Sequence, residues 1–126
     1  MLKKREAIFD TYNKNLKDKE WAIIPFRKDD KKETSYHVYP LRIRCFNEEK
    51  RNVVIQKLAE KGIATNVHFV PLPMFTLYKN LGYSIEDYPN AYNQYANEIS
   101  LSVYSTLALE DAQYVVEEVI KCVEKL

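Results

Sequence analysis

Residues 35–62 read SYHVYPLRIRCFNEEKRNVVIQKLAEKG, a strand-like run followed by a helix-like one. The aromatic and β-branched residues of the first half favour a strand over 35–45. One face of this strand is predicted to carry His37, Tyr39, Leu41, Ile43 and Cys45. Asn47 suits the N-cap of the following helix, and Gly62 suits its end. A strand that leads directly into a helix predicts a domain in which a sheet and helices share one core.

Periodic patterns continue on both sides of this stretch. We predict an amphipathic helix over about 2–18, a second strand over 63–69, a short helical turn over 74–81, a helix from Pro89 to near Ser100 and a last helix up to Leu126. The charged run 27–34 is predicted to be a solvated connection. These elements predict one α+β domain over residues 1–126, with a small, mostly antiparallel sheet flanked by helices.

Composition excludes several classes of function. The formal charge of +1 offers no global field for nucleic acid, and no run approaches the roughly 20 apolar residues that a membrane span needs. Two glycines are too few for a self-contained phosphate-binding loop. The N-terminus shows no targeting segment, and two isolated cysteines suit a reducing compartment, so a cytoplasmic location is expected.

The residues most often used in catalysis or metal binding form no recognisable set. His37, His68, Cys45 and Cys122 lack the spacing of a zinc site, and neither histidine has the context of a nucleophile's partner. Both cysteines are expected to behave as small buried hydrophobes. The sequence therefore predicts no metal site and no catalytic residue within this chain.

One polar face deserves a functional interpretation. Asn66 and His68 alternate with apolar residues on the predicted strand 63–69, whose end is fixed by Pro71 and Pro73. Both side chains could offer hydrogen bonds to a ligand in a pocket at the C-terminal edge of the strand. The alternative interpretation is an ordinary solvent-exposed face.

Five blocks of this sequence resemble the DegT/StrS sugar aminotransferases in order and spacing. They are SYHVYPLRI (35–43), GIATNVHFVPLPM (62–74), YKNLGY (78–83), DYPNA (87–91) and EISL (98–101). The resemblance implies the fold of type I pyridoxal-phosphate (PLP) aminotransferases. In that fold a large N-terminal domain carries the Schiff-base lysine and the aspartate that pairs with PLP, and a small C-terminal domain closes over the substrate. This chain resembles the small C-terminal domain.

The resemblance also implies what the chain lacks. None of its lysines lies in a context like the family's Schiff-base motif, so PLP is expected in the intact family enzyme and not on this chain alone. Without that lysine the chain is expected to be inactive by itself. The implied partners are a nucleotide-sugar and glutamate as substrates, together with the missing large domain or a complementary chain.

The family pattern implies substrate contacts at His68 and Phe69, with Asn66 beside them. Pro73 departs from members that carry a histidine there, and this difference bears on sugar specificity. Ser102 and Ser105 stand where prolines are usual and mainly relax the loop. Ala108 stands where many members have a Ser or Thr helix cap. His37 matches a frequent family histidine and is expected to be structural.

Two other classes of function stay open at this point. The chain could be a stand-alone module that binds a sugar nucleotide after losing PLP chemistry, or, with less support, a small RNA-binding domain. In the aminotransferase interpretation, the stripe Ile8, Tyr12 and Leu16 is expected to have faced the large domain. The isolated chain would then expose this stripe or form a homo-oligomer through it.

Overall fold

The computed structural model describes residues 2–126. The helices are α1 (Leu2–Leu16), α2 (Glu48–Glu60), α3 (Thr76–Asn80), α4 (Pro89–Ala96) and α5 (Leu109–Glu124). The strands are β1 (Ala22–Ile23), β2 (Tyr39–Ile43) and β3 (Glu98–Leu101), and short 3-10 turns occupy Leu72–Met74 and Ile85–Asp87. The strands form one antiparallel sheet in the order β1-β2-β3, which confirms the predicted α+β class.

The central strand β2 organises the sheet. It pairs with β3 over its first four residues, with Tyr39 opposite Leu101. Alternate residues of β2, namely Tyr39, Leu41 and Ile43, are fully buried, as the alternation predicts. Strand β1 pairs only with the last two residues of β2, so Pro40 lies beyond its reach. A proline, which has no N–H to donate, is tolerated at such a position.

The chain on either side of β2 departs from the predicted strand over 35–45. Tyr36 has a φ of +56° and is buried, whereas His37 is exposed. Cys45 has a φ of +64° and is also exposed. Left-handed backbone at these two positions interrupts the alternation. The predictions that His37 and Cys45 lie on the buried face are therefore wrong, while Cys122 is buried as predicted.

Helix α1 belongs to the core of this chain. Each residue of its apolar stripe is at most 1% exposed, and the stripe comprises Ile8, Phe9, Tyr12 and Leu16. The rings of Phe9 and Tyr12 meet Tyr39 edge-on at centroid distances of 4.7 and 5.0 Å, and the ring of Phe9 meets Tyr36 in the same manner. The expectation that this stripe would be exposed is wrong, because α1 packs on α5 and β2 within the domain.

Helices α2 and α5 are in contact and both contribute buried residues to the core. Asn47 caps α2 as predicted, its Oδ1 accepting a hydrogen bond from the Lys50 N–H at 2.9 Å. Gly62, with a φ of +80°, follows the end of α2. The start of α5 has no such cap, because Ala108 carries only a methyl group. The buried stripe of α5 contains Ala112, Val115, Val116, Val119, Cys122 and Val123.

Two further predictions of secondary structure are wrong. Residues 63–69 do not form a strand, since Asn66 makes a single antiparallel bridge to Ser100. The helix predicted to reach Ser100 ends at Ala96, and β3 begins at Glu98. Ile99 continues a helical stripe of Tyr88, Tyr92 and Tyr95, but residues 98–101 pair with β2 and form a strand instead.

Residues 64–95, here called the arm, contain no buried residue. The arm includes α3 and α4 and exposes many large apolar side chains, among them Phe69, Leu72, Phe75, Leu77, Leu81, Tyr83 and Tyr88. It is attached to the body of the domain through a few polar contacts. The Tyr92 hydroxyl donates to Glu48 Oε2 at 2.8 Å, and the Arg51 guanidinium lies 4.5 Å from the Tyr95 ring centroid.

Candidate functional site

His68 lies on the arm beside β3 and is held there at two points. Its backbone N–H donates to Glu98 Oε2 at 2.9 Å, and its ring Nδ1 lies 2.6 Å from Ser100 Oγ. The hydroxyl of Ser100 in turn donates to Glu98 Oε1 at 2.5 Å. A hydrogen-bonded chain therefore runs from the imidazole of His68, a predicted site residue, to a carboxylate inside the domain.

Glu98 and Ser100 are buried, with 3% and 6% of their surfaces exposed. Burial raises the pKa of Glu98 above its ordinary value, while the hydrogen bonds from Ser100 and from the His68 backbone act in the opposite direction. Sequence reasoning did not select these two residues for the site. They alternate in a strand and so share a face, but the predicted helix places residues two apart on different sides.

Phe69 is the most exposed of the large apolar side chains, at 77%. Its ring meets the His68 imidazole edge-on at 4.7 Å, and the peptide bond between the two residues is cis. Both side chains line a cleft of about 550 Å³ together with Leu72, Phe75, Gln94 and Tyr95 of the arm. The structure therefore brings His68 and Phe69 to one cleft.

Asn66 lies on the other side of His68. Its backbone N–H and carbonyl pair with Ser100, and its side-chain Oδ1 accepts from the Val67 N–H at 2.8 Å. It lines a second cleft, of about 350 Å³, with His68, Ser100 and the exposed His37. Asn66 and His68 thus share a cleft, but Asn66 does not line the one that contains Phe69.

Within 2–126, no three histidine, cysteine, aspartate or glutamate side chains are grouped closely enough to hold a metal ion. Over the same residues, no helix has both the length and the apolar character required to cross a membrane.

Comparison with models of known protein families gives one match for this chain. The profile of the DegT/DnrJ/EryC1/StrS aminotransferase family matches residues 1–120. The chain belongs to this family. Five of its sequence blocks and its α+β fold agree with that assignment.

Relatives in the DegT/DnrJ/EryC1/StrS family match nearly the whole chain. A putative sugar aminotransferase of Streptococcus pneumoniae, Spr1654, solved in its PLP form, is 38% identical, with a TM-score of 0.94 over 99% of this chain and 32% of its own. SpsC, a spore coat polysaccharide biosynthesis protein of Bacillus subtilis, is 33% identical over 94% of this chain and 31% of its own length. A UDP-4-amino-4,6-dideoxy-N-acetyl-β-L-altrosamine transaminase of Campylobacter jejuni is 32% identical over 99% and 33%.

The chain therefore spans about a third of the length of the relatives that it matches. The family is PLP-dependent, and PLP requires a lysine for its Schiff base and an acidic or basic partner for its pyridine nitrogen. The cleft of His68 and Phe69 is lined by neither a lysine nor a carboxylate. This cleft does not fit PLP by itself.

Proposed function

We propose that the chain is the small C-terminal domain of a PLP-dependent nucleotide-sugar aminotransferase, which transfers an amino group from glutamate to a keto-sugar in the cytoplasm. The Schiff-base lysine would lie in polypeptide outside these 126 residues, on the same chain or on a complementary one. The names of relatives from Campylobacter jejuni and Helicobacter pylori, both UDP-amino-sugar transaminases, support a nucleotide-sugar as the substrate.

The observation that carries this proposal is the placement of His68 and Phe69. The imidazole of His68 is hydrogen-bonded to Ser100 and lines a cleft next to the exposed ring of Phe69. An aromatic face and a hydrogen-bonding ring are the groups that bind a sugar and fix its orientation. In this proposal His68 and Phe69 contact the substrate, and Asn66 contributes from the adjoining cleft.

The apolar surface of the arm supports the same proposal. Leu77 and Leu81 are 64% and 66% exposed, and both lie on one short stretch of the arm. An exposed surface of this kind normally marks an interface. The two thirds of the family enzyme that this chain does not include are the partner that we propose for it.

A PLP titration of the 126-residue chain tests whether the residues that hold PLP lie outside it. Absorbance is followed during the titration, and borohydride reduction with mass spectrometry locates any trapped lysine. We expect no stoichiometric adduct at a single lysine. Trapping at one defined lysine would overturn the proposal, because the chain would then hold PLP by itself.

A hybrid enzyme tests the contribution to substrate binding. This chain replaces the corresponding third of the Streptococcus pneumoniae relative, and the conversion of bound PLP to its amino form by glutamate shows that the hybrid is loaded. Phe69→Ala is expected to lower kcat/KM for the keto-sugar about tenfold or more, equal to about 1.4 kcal/mol. The matched control is Leu109→Ala, which truncates an exposed apolar side chain at the start of α5. Equal activity of the two variants would contradict a substrate contact at Phe69.

Binding of a UDP-sugar to the chain alone distinguishes the proposed aminotransferase domain from a stand-alone sugar-nucleotide-binding module. A stand-alone module would bind this ligand without PLP and without a second domain. Calorimetry is expected to show no saturable binding, because in our proposal the rest of the enzyme supplies the other part of the binding site. Tight binding that is abolished by His68→Ala would favour the stand-alone module.

A further inference from the structure

The side chains of His68, Ser100 and Glu98 are joined by two hydrogen bonds that share the hydroxyl of Ser100. Ser100 Oγ lies 2.5 Å from Glu98 Oε1 and 2.6 Å from His68 Nδ1, so it takes part in two short hydrogen bonds. A hydroxyl has one proton, so it donates in one of these bonds and accepts in the other. The direction of the chain is therefore decided by its ends.

Both oxygens of the Glu98 carboxylate act as acceptors. Oε2 accepts the backbone N–H of His68, which can only donate, and Oε1 faces the hydroxyl of Ser100. An ionised carboxylate accepts at both oxygens. If Glu98 is ionised, Ser100 donates to it, and Ser100 must then accept a proton from Nδ1 of His68.

We propose that Glu98 and Ser100 are positioning residues that fix the neutral imidazole of His68 as the tautomer with its proton on Nδ1 and its lone pair on Nε2. Nε2 forms no hydrogen bond to any residue in the described part of the chain. Because His68 lines the clefts on either side of it, this lone pair is the group that His68 offers to a ligand.

Opposing influences act on the ionisation of Glu98. Burial is the largest and raises the pKa of Glu98, whereas the hydrogen bonds from Ser100 and from the His68 backbone and the nearby Arg51 guanidinium stabilise the ionised carboxylate. Arg51 is itself buried, with 3% of its surface exposed. A cation that remains charged near the carboxylate stabilises the direction Nδ1–H to Ser100 to Glu98.

The consequence for chemistry rests on the proposed function. A lone pair on Nε2 accepts a hydrogen bond from a sugar hydroxyl or takes up a proton, and an N–H at the same place would instead donate to a carbonyl. The two ring nitrogens of a histidine have distinct roles, and the partner of one sets the state of the other. Glu98 and Ser100 would therefore determine which substrate groups His68 recognises.

Nitrogen-15 NMR of the labelled 126-residue chain tests the tautomer without any ligand or cofactor. The chain has two histidines, and a His37→Gln sample assigns the ring signals. At mildly alkaline pH, with neutral rings, we expect His68 to show a protonated Nδ1 and an unprotonated Nε2. The exposed His37 makes no such contact and provides an internal reference for an unrestrained ring.

Two substitutions at Ser100 complete the test. Ser100→Ala removes the acceptor, so the tautomer ratio of His68 is expected to shift to that of His37, whereas Ser100→Thr keeps a hydroxyl and should preserve the wild-type signals. An unchanged amide spectrum elsewhere shows that each variant is folded. A wild-type ring protonated on Nε2, or an Ala variant identical to wild type, would overturn the proposal. Neither result bears on the hybrid-enzyme test, so the two proposals fail separately.

Discussion

Phe9 and Phe69 are the same residue type in opposite surroundings. Phe9 is 1% exposed and packs against two tyrosine rings, whereas Phe69 is 77% exposed. Truncating a buried phenylalanine to alanine costs about 3–5 kcal/mol of folding free energy through lost burial and the cavity that remains. We expect Phe9→Ala to show a loss of this size in urea unfolding, and Phe69→Ala to change stability by less than about 0.5 kcal/mol. Similar losses in both variants would show that the arm packs more tightly than described.

At this scale the sequence selects His68 and Phe69 as candidates and misses the buried Glu98 and Ser100 beside His68. His68 and Phe69 belong to a recognisable local block, so they could be selected without the structure. Glu98 and Ser100 come to His68 from thirty or more positions along the chain, through the single bridge between Asn66 and Ser100. A contact of that separation leaves no local pattern, and one sequence without relatives cannot reveal it.

Helices α2 and α5 differ in how they begin. Asn47 caps α2, while Ala108 leaves the first N–H groups of α5 without a side-chain acceptor. A missing cap costs about 1 kcal/mol, so Ala108→Ser is expected to raise the free energy of unfolding by about that amount. The reciprocal variant, Asn47→Ala, is expected to lower it by a similar amount. Chemical denaturation of both variants measures the difference, and a neutral Ala108→Ser would mean that other groups already satisfy the start of α5.

An ion pair between the end of α2 and α5 makes stability depend on pH. The hydrogen bond from Lys61 Nζ, assisted by Lys121, lowers the pKa of Glu118 below its ordinary value of 4.5. Since the unfolded chain binds this proton more readily, the contribution is complete above the ordinary value and is lost as pH falls through the lowered one.

The free energy of unfolding of Glu118→Gln should therefore fall less than that of the wild type as the pH is lowered below 4.5. The control is Glu117→Gln, which removes a charge from the exposed side of the same helix. Thermal unfolding is measured for the three proteins over a series of acidic pH values. Parallel pH profiles for wild type and Glu118→Gln would contradict the role given to Glu118.

Secondary structure could be predicted where a local pattern has one solution. Asn47, Gly62 and the stripe of α5 mark helices that form as expected. Ile99 fits both the helical stripe that precedes it and a strand over 98–101, and the partner strand β2 decides between them. At 63–69 alternation is present, but one bridge to Ser100 is all the pairing that the sheet provides.

The whole molecule consists of a body with a closed core and an arm whose apolar residues face outward. We expect the isolated chain to self-associate with rising concentration through the arm, and not through α1, whose stripe is enclosed. Leu77→Lys should weaken this association in sedimentation velocity experiments, because it places a charge on the exposed apolar surface. Leu109→Lys, at the start of α5, is the matched control. Equal weakening by both variants would place the contact elsewhere.

Because the arm contains no buried residue, we expect it to have lower local stability than the body of the domain. Segments without buried side chains open at a small free-energy cost, so amides of α3 and α4 should exchange with solvent well before those of α5. Whatever covers the arm must then supply the free energy that orders it. His68 and Phe69 lie at the start of this low-stability unit. If the proposed function holds, assembly of the substrate cleft and docking of the arm are one linked equilibrium, in which each event strengthens the other.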